Sequence, residues 1–347
     1  MQLFEQMKIA VDAMGGDFAP GVVIEGLADA IPDHPDCIFV LVGHQEKIAF
    51  YLDKYGLSGH PQIEVVHAQT VCEMSELSAT ALRGKKDCPI TVCARLLKEK
   101  SVDAMVTPGH TGATVAATKV LVRNLPGVDR AALAASMPSQ TGRFLLVDAG
   151  ATPDSTSLNL VQYALMGNIY AQYLFNVERP KVGLLSVGGE DVKGNELTKE
   201  TFKLLEKLPI NFIGNVEADT AFEGDVDVVV ADGFVGNVLL KGAEGLARST
   251  MVWLKRVLKK NIFRLMWALL AQNAFRELKA YGASDVIGGA PLLGINGICI
   301  IGHGSSNPLA VKNAIRVAAE CVRFNLNGKI LAALDECSDV ALKQTEK

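Results

Sequence analysis

The sequence predicts an α/β fold, a three-layer α/β/α sandwich around a mostly parallel sheet. Two observations predict it. A short apolar segment, a turn containing Gly or Asp, and an amphipathic helix recur along the 347 residues. Several apolar segments show no alternation, as strands do when helices cover both faces of a parallel sheet.

The elements follow in order. Met7–Ala13 is an apolar strand that stops at Gly15-Gly16, and Cys37–Gly43 is another, followed by a periodic helix at Gln45–Tyr55. Ala104–Thr107 ends at Pro108-Gly109 and leads into a helix at Thr111–Val122. Phe144–Ala149 precedes a long helix at Leu158–Phe175, and Lys181–Val187 precedes one at Leu197–Lys207. Val226–Ala231 runs into Asp232-Gly-Phe-Val-Gly-Asn237, whose last residue is suited to cap the next helix. Ile298–Ile301 ends at Gly302 and is followed by a helix at Ala310–Leu326. No Pro/Ser-rich linker, short repeat or low-complexity tract divides the chain. One large domain over 1–347 is expected, with a polar, frayed tail from about Asp335 to Lys347.

Composition narrows the function. With 49% apolar and 21% charged residues the chain is globular rather than disordered. Its formal charge of −4 argues against an electrostatically driven nucleic-acid binder. The longest obvious apolar run, Leu265–Ala271, is far too short for a membrane span, and the first residues lack signal-peptide regions. Seven cysteines, among them Cys72, form no Cys-x-x-Cys pair, so a reducing, cytoplasmic setting without structural zinc is expected. Cys299, inside a strand-like run, is expected as a small core residue.

Thirty-two glycines carry more information than the charge. In open α/β sheets ligands bind beyond the carboxyl ends of strands. Five such loops combine Gly with polar residues: Asp12 to Asp17, Thr107 to Gly112, Ser186 to Asn195, Asp232 to Asn237, and Gly302 to Ser306. Glycine-rich turns ahead of helices offer backbone N–H groups and a partial positive charge, which is an anion-binding arrangement. A Walker loop is absent, and Gly302-His-Gly304 lacks the third glycine of a dinucleotide fingerprint. Ser136, Ser186, Ser305 and Ser306 lie outside Gly-x-Ser-x-Gly. Asp12, Asp17, Asp148, Glu190, Asp191 and Asp232 have no metal-ligand spacing and are expected to cap turns and helices. His110 and His303 sit in the Gly-loops, each as a loop-orienting residue or a proton donor. A phosphate-binding pocket without an obvious protein nucleophile suggests that phosphate is itself the reactant.

These residues fall into a recognisable series. Lys8-Ile-Ala-Val-Asp-Ala-Met-Gly-Gly-Asp17, Leu125-Pro-Gly-Val-Asp-Arg130, Lys193-Gly-Asn-Glu-Leu197, Phe212-Ile-Gly-Asn-Val-Glu217, Asp227 to Asn237, Gly289-Ala-Pro-Leu-Leu-Gly294 and His303-Gly-Ser-Ser306 occur in this order. From about Met7 to about Leu326 the chain resembles the bacterial phosphate acyltransferase family of phospholipid synthesis. The resemblance implies a fold similar to isocitrate and isopropylmalate dehydrogenases and phosphotransacetylases, and a homodimer. It also implies the reaction of long-chain acyl-[acyl carrier protein] with inorganic phosphate, giving acyl phosphate and free carrier without a cofactor. The product would feed a glycerol-3-phosphate acyltransferase. The chain departs from the family pattern at His110 and Thr152 (usually Asn), at Ile287 (commonly Tyr) and at Asn307 (usually Asp).

Phosphate dianion attacks a thioester without prior deprotonation, so the site must orient it and stabilise charge. Phosphate and the developing oxyanion are expected on the backbone around Gly15-Gly16, Gly233–Gly236 and Gly304–Ser306. The polar residues Asp12, Asp17, His110, Thr111, Gly112, Asp232, Ser305 and Ser306 surround them. Lys193 is expected to add positive charge, Asn195 and Asn237 to orient substrate, and His303 to offer a proton that a thiol leaving group scarcely needs.

One segment is unlike the rest. Between Arg248 and Lys279 eight Lys/Arg face one acid, Glu277, and both tryptophans, Trp253 and Trp267, lie there. Apolar residues at 251, 254, 258, 262, 265 and 269 form a helical stripe beside Lys255, Arg256, Lys259, Lys260 and Arg264. Three readings stand: a helix pair packed in the dimer or core, a cationic helix on anionic lipid, or a dock for acidic acyl carrier protein. The resemblance favours peripheral membrane contact. The competing functions are a dehydrogenase of the related fold and a non-catalytic, membrane-associated scaffold.

Overall fold

The computed structural model describes residues 6–70, 87–275, 277 and 288–341. Cys72, Lys279, Ile287 and residues 342–347 lie outside the described residues. Among the described residues eleven strands form one sheet: β1 (Met7–Asp12), β2 (Cys37–Gly43), β3 (Ile63–His67), β4 (Ala104–Thr107), β5 (Ala132–Pro138), β6 (Arg143–Val147), β7 (Lys181–Leu185), β8 (Asn211–Val216), β9 (Val228–Val230), β10 (Ala290–Leu293) and β11 (Ile298–Ile301). Their order is β3-β2-β1-β4-β11-β10-β5-β6-β9-β7-β8. All seven expected strands are present, with ends within two residues of expectation.

The four remaining strands lack a continuous apolar run for identifiable reasons. β3 and β8 are the two edges of the sheet, and each leaves part of its length exposed. β5 is rich in alanine, a poor strand former, and β10 is four residues long and contains Pro291.

Those last two strands set the architecture. β1, β2, β3, β4 and β11 are mutually parallel, and so are β6, β9, β7 and β8. Between the groups, β11–β10, β10–β5 and β5–β6 all pair antiparallel. Three reversals leave the second group running opposite to the first. The sheet is therefore mostly parallel by pairing, yet the carboxyl ends of its two halves emerge at opposite edges.

Alternate strand residues enter two cores, one on each face. Ile9, Val11, Leu145, Val147, Ile298 and Ile300 pack on one side; Ala10, Phe144, Leu146, Cys299 and Ile301 pack on the other. The first face is covered by α1 (Gly21–Ala30), α5 (Ser157–Phe175) and α10 (Pro308–Arg323). The second is covered by α3 (Pro89–Lys98) and α4 (Thr111–Ala117), which continues as a π turn to Val122. This gives the expected three layers. Tyr163 and Tyr170, both fully buried, fix α5 in the first core. The six described cysteines are buried, Cys299 at 1% exposure.

The basic segment departs from expectation. Helix α8 spans Gly233–Leu258, starting well before Arg248, and α9 spans Ile262–Leu270. The chain breaks between them because Asn261 Oδ1 caps α9 by accepting Phe263 N–H at 2.8 Å. The apolar stripe is thus split between two helices. Within α8 only Gly233 and Gly236 are buried. Trp253 is 55% exposed and Trp267 70%, and Lys255, Arg256, Lys259, Lys260 and Arg264 are exposed. No helix among the described residues is long and apolar enough to cross a membrane. Asp335 to Ala341, expected to fray, instead complete α11 (Leu326–Glu336) and α12 (Ser338–Ala341), because Leu334 and Cys337 are buried.

Candidate functional site

Three loops meet at the carboxyl ends of β1, β4 and β11. A side chain on Gly16, at φ +90°, would place its Cβ 2.9 Å from both Gly304 O and Pro108 O. One on Gly15 would stand 3.2 Å from Gly109 N, and one on Gly302 would stand 3.2 Å from Pro108 Cα. Backbone thus packs on backbone across all three loops, and Asp17 N–H donates to Gly304 O at 2.8 Å. Glycine is required at Gly16 both by φ and by this approach.

The same edge receives the N-termini of α1, α4 and α10, and none of the three has an acidic residue in its first turn. Their partial positive charges are therefore uncancelled by side chains of their own. His110 caps α4, Nδ1 accepting Ala113 N–H at 3.1 Å, with Thr111 and Gly112 in the turn that follows. Asn307 caps α10, Oδ1 accepting Ala310 N–H at 2.9 Å. At two positions where the chain departs from the family pattern, the replacement still offers an acceptor that caps a helix.

His303 orders the third loop. Its Nδ1 accepts Ser305 N–H at 3.2 Å and lies 2.8 Å from Ser305 Oγ, so the ring proton resides on Nε2. Ser306 Oγ donates to His303 O at 2.5 Å. His303 and Ser305 are exposed, Gly304 and Ser306 buried.

Beneath the cradle, Asp12 is buried at 2% exposure. Burial pushes its carboxyl up to about 6, against hydrogen bonds from Thr107 and the Met14 and Gly15 backbone. Thr107 Oγ1 donates to Oδ2 at 2.9 Å and Met14 N–H to Oδ1 at 3.0 Å. Sequence reasoning missed Thr107, although its place as the last residue of an apolar strand was a usable signal.

The remaining predicted residues stand elsewhere. Lys193, Asn195, Asp232, Gly233, Gly236 and Asn237 follow β7 and β9, whose carboxyl ends lie at the opposite edge. There Asp148 Oδ1 accepts N–H from Leu133, Gly150 and Ala151 at 2.8–3.0 Å, and Oδ2 accepts Thr152 N–H at 2.7 Å. Burial nonetheless holds its pKa above the ordinary carboxylate value. A Cβ on Gly233 would reach Asp148 Oδ2 at 2.5 Å, and one on Gly150 would meet the Asn237 side chain at 3.2 Å. Thr152 Oγ1 donates to Ala131 O at 3.1 Å, a use that this third departure retains for its hydroxyl.

Asp232, rather than Asn237, caps α8: its Oδ1 accepts Phe234 and Val235 N–H at 3.0 and 2.9 Å. The helix starts four residues ahead of Asn237, which leaves that amide exposed in its second turn. Asn195 caps α6 (Glu196–Leu205) through Thr198 N–H at 2.9 Å, and Lys193 is exposed. The five loops therefore form two groups, a His303 edge and a Lys193 edge, and not the single gathering expected.

Among the described residues, one His/Asp/Cys grouping has ligand atoms within 4.8 Å of one another: His34, Asp36 and Cys37. It stands at the start of β2, outside both glycine-rich groups, and Arg323 Nη2 holds Asp36 at 2.7 and 2.9 Å.

The comparisons agree with this fold and with the resemblance of the chain as a whole. A family model described as "Fatty acid synthesis protein" matches residues 7–329. The chain is 44% identical over 346 residues to a phosphate acyltransferase of Akkermansia muciniphila, covering 96% of this chain and 99% of that one. It is 45% identical over 330 residues to one of Citrifermentans bemidjiense, covering 95% and 93%. Among solved structures, a phosphotransacetylase from Streptococcus pyogenes superposes with a TM-score of 0.60 at 15% identity, covering 92% of this chain and 94% of that one. The EutD phosphotransacetylase from Staphylococcus aureus gives 0.58 at 17%, covering 91% and 94%. The two structures share the fold.

Proposed function

The chain belongs to the fatty acid synthesis protein family, and from that premise we infer that it is a phosphate acyltransferase. Its substrates in this reading are long-chain acyl-[acyl carrier protein] and inorganic phosphate. A phosphate oxygen attacks the thioester carbonyl, a C–O bond forms, the C–S bond breaks, and acyl phosphate leaves the carrier thiolate to take a proton. The observation that carries the reading is the His303 edge, where three helix N-termini and three glycine loops converge without a competing first-turn carboxylate.

Each part then has a chemical task. The loop backbone holds the phosphate and the developing oxyanion. Asp12, with its pKa raised to about 6, takes up a proton more readily than an ordinary carboxylate when pH falls below neutral, which lessens the negative charge beneath an incoming dianion there. A thiol of ordinary pKa near 8.5 leaves with little assistance, and His303 Nε2–H is a donor within the same loop if assistance is used. Lys193, Asn195 and Asn237 are assigned to the same reaction as charge and amide donors. Thiol release from the acyl carrier thioester tests this: it should saturate with phosphate, and release at the same rate without phosphate would refute the assignment.

The exposed α8–α9 pair extends the reading to location. Trp253, Trp267, Leu269 and Leu270 beside five cations suit an anionic lipid surface, where a downstream glycerol-3-phosphate acyltransferase would consume the product. A homodimer accords with the uncovered face of α8. Co-sedimentation with anionic vesicles, lost on Lys→Glu changes at 255, 259 and 260, supports this placement; binding indifferent to both lipid charge and these changes opposes it.

A further inference from the structure

We propose that this chain binds one soft monovalent metal ion, Cu(I), at the amino ends of β1 and β2, through Cys37 Sγ, Met7 Sδ and a ring nitrogen of His34. The site is separate from the glycine-rich loops and owes nothing to the reaction assigned to them.

The run His34-Pro-Asp-Cys37 places two of the donors three residues apart on a closed turn. Cys37 N–H donates to His34 O at 3.1 Å. Gln62 Nε2 donates to the carbonyls of both His34 and Cys37, at 2.8 and 2.7 Å. β1 runs alongside with Met7 opposite Cys37, and Met7 N–H donates to Asp36 O at 3.1 Å. The backbone of all three donor residues is thus fixed before an ion arrives, so binding has little ordering left to oppose it.

The side chains match an ion in distance. A His34 ring nitrogen, an Asp36 carboxylate oxygen and Cys37 Sγ lie within 4.8 Å of one another. Cys37 Sγ stands 3.9 Å from Met7 Sδ. Two sulfurs each about 2.3 Å from one ion are about 3.8 Å apart in tetrahedral geometry and about 4.0 Å in trigonal. His34 is 4% exposed and Cys37 1%. His34 Nδ1 is closed to solvent and has no hydrogen-bond partner among the described residues. A buried ring nitrogen in that state is costly, and a ligand on the imidazole offsets the cost.

Donor type and charge select the ion. Structural Zn²⁺ takes its ligands from Cys, His and carboxylates, whereas a thioether beside a thiolate suits Cu(I). Asp36 is already neutralised, since Arg323 Nη2 reaches its Oδ1 and Oδ2 at 2.7 and 2.9 Å. The incoming ion displaces the Cys37 thiol proton to solvent. The thiolate then carries the one uncompensated charge among these groups, which a monovalent ion cancels and a divalent ion exceeds. Asp36 Oδ1, 3.7 Å from Cys37 Sγ, orients the turn from outside through its link to the end of α10. Pro35 and Asp36 are exposed and give the ion a path from solvent.

The test titrates the reduced, metal-free full-length chain with Cu(I) buffered by a coloured competing chelator, then records X-ray absorption of the loaded protein. One ion per chain is expected, with two sulfurs and at least one nitrogen as neighbours. Cys37→Ser should abolish this binding. Met7→Leu, close in volume, keeps the fold testable if the serine variant does not fold. It should weaken binding at least about tenfold, since losing even an outer-shell partner costs about 10–100-fold. Cys337→Ala, which removes a buried thiol elsewhere, should bind as wild type does. Failure to take Cu(I) from the chelator overturns the proposal, and so does wild-type affinity in Met7→Leu. Loss of the ion in Cys337→Ala places binding on other thiols and overturns it as well. Zn²⁺ bound more tightly than Cu(I), with Met7→Leu indifferent, contradicts the soft-ion assignment.

Discussion

Asp12→Asn isolates the buried carboxyl under the cradle. The free carboxyl value of 3.8 rises to about 6 in the folded chain, so the native state binds more protons than the unfolded state between those limits. Stability from this group is full below pH 3.8 and falls as pH rises through about 6. The shift of roughly 2 units corresponds to about 3 kcal/mol at 1.36 kcal/mol per unit. Asparagine cannot titrate, yet its carbonyl oxygen still accepts Met14 N–H and its amide can donate to Thr107 Oγ1. Any fixed cost of the amide is the same at every pH and cancels in a difference of differences. Denaturant midpoints for wild type and variant should be measured at pH 4 and at pH 7.5. Because pH 4 lies just above the free value, the stability of the variant relative to wild type should rise by about 2.4 kcal/mol between the two. A difference that stays constant within about 1 kcal/mol would refute the burial argument.

Two further expectations concern the scaffold that holds the loops. Asn307→Ala removes the cap of α10 and should cost about 1 kcal/mol in a denaturation midpoint, whereas Asn307→Asp keeps an acceptor and should cost far less. Gly26→Ala would press a Cβ to 2.5 Å from Pro308 O and 2.7 Å from Val311 Cβ. It should destabilise by roughly 1–3 kcal/mol and displace the start of α10, raising the phosphate concentration for half-maximal turnover.

The sequence was most legible where burial on both faces leaves an uninterrupted apolar run. β1, β2, β4, β6, β7, β9 and β11 are of that kind. It was least legible at alanine-rich β5 and short, proline-bearing β10, which are held by tertiary pairing rather than by their own pattern. That gap had a specific consequence, because these are the strands that reverse the sheet. Without them, loops beyond strand ends all seem to share one edge, and Lys193 is assigned beside His303. The individual loops were readable from glycine spacing; their mutual placement depends on pairings such as Leu292 with Leu133, which are distant in the sequence and belong to no local motif. Caps show the same division. Asn307 before Pro308 is a local signal, whereas Asp232 displaces Asn237 as the α8 cap because the helix begins at Gly233, packed on Asp148.

The central claim is that backbone converging around Gly16 binds the attacking phosphate. Gly16→Ala drives a Cβ toward Gly304 O and Pro108 O in a positive-φ position, while Gly189→Ala adds one in open space. The direct measurement is the initial rate of thiol release from acyl carrier thioester against phosphate concentration in these two variants. Gly16→Ala should raise the phosphate KM at least tenfold, equivalent to about 1.4 kcal/mol of lost binding, with Gly189→Ala close to wild type. An unchanged phosphate KM in a folded Gly16→Ala protein would contradict the account.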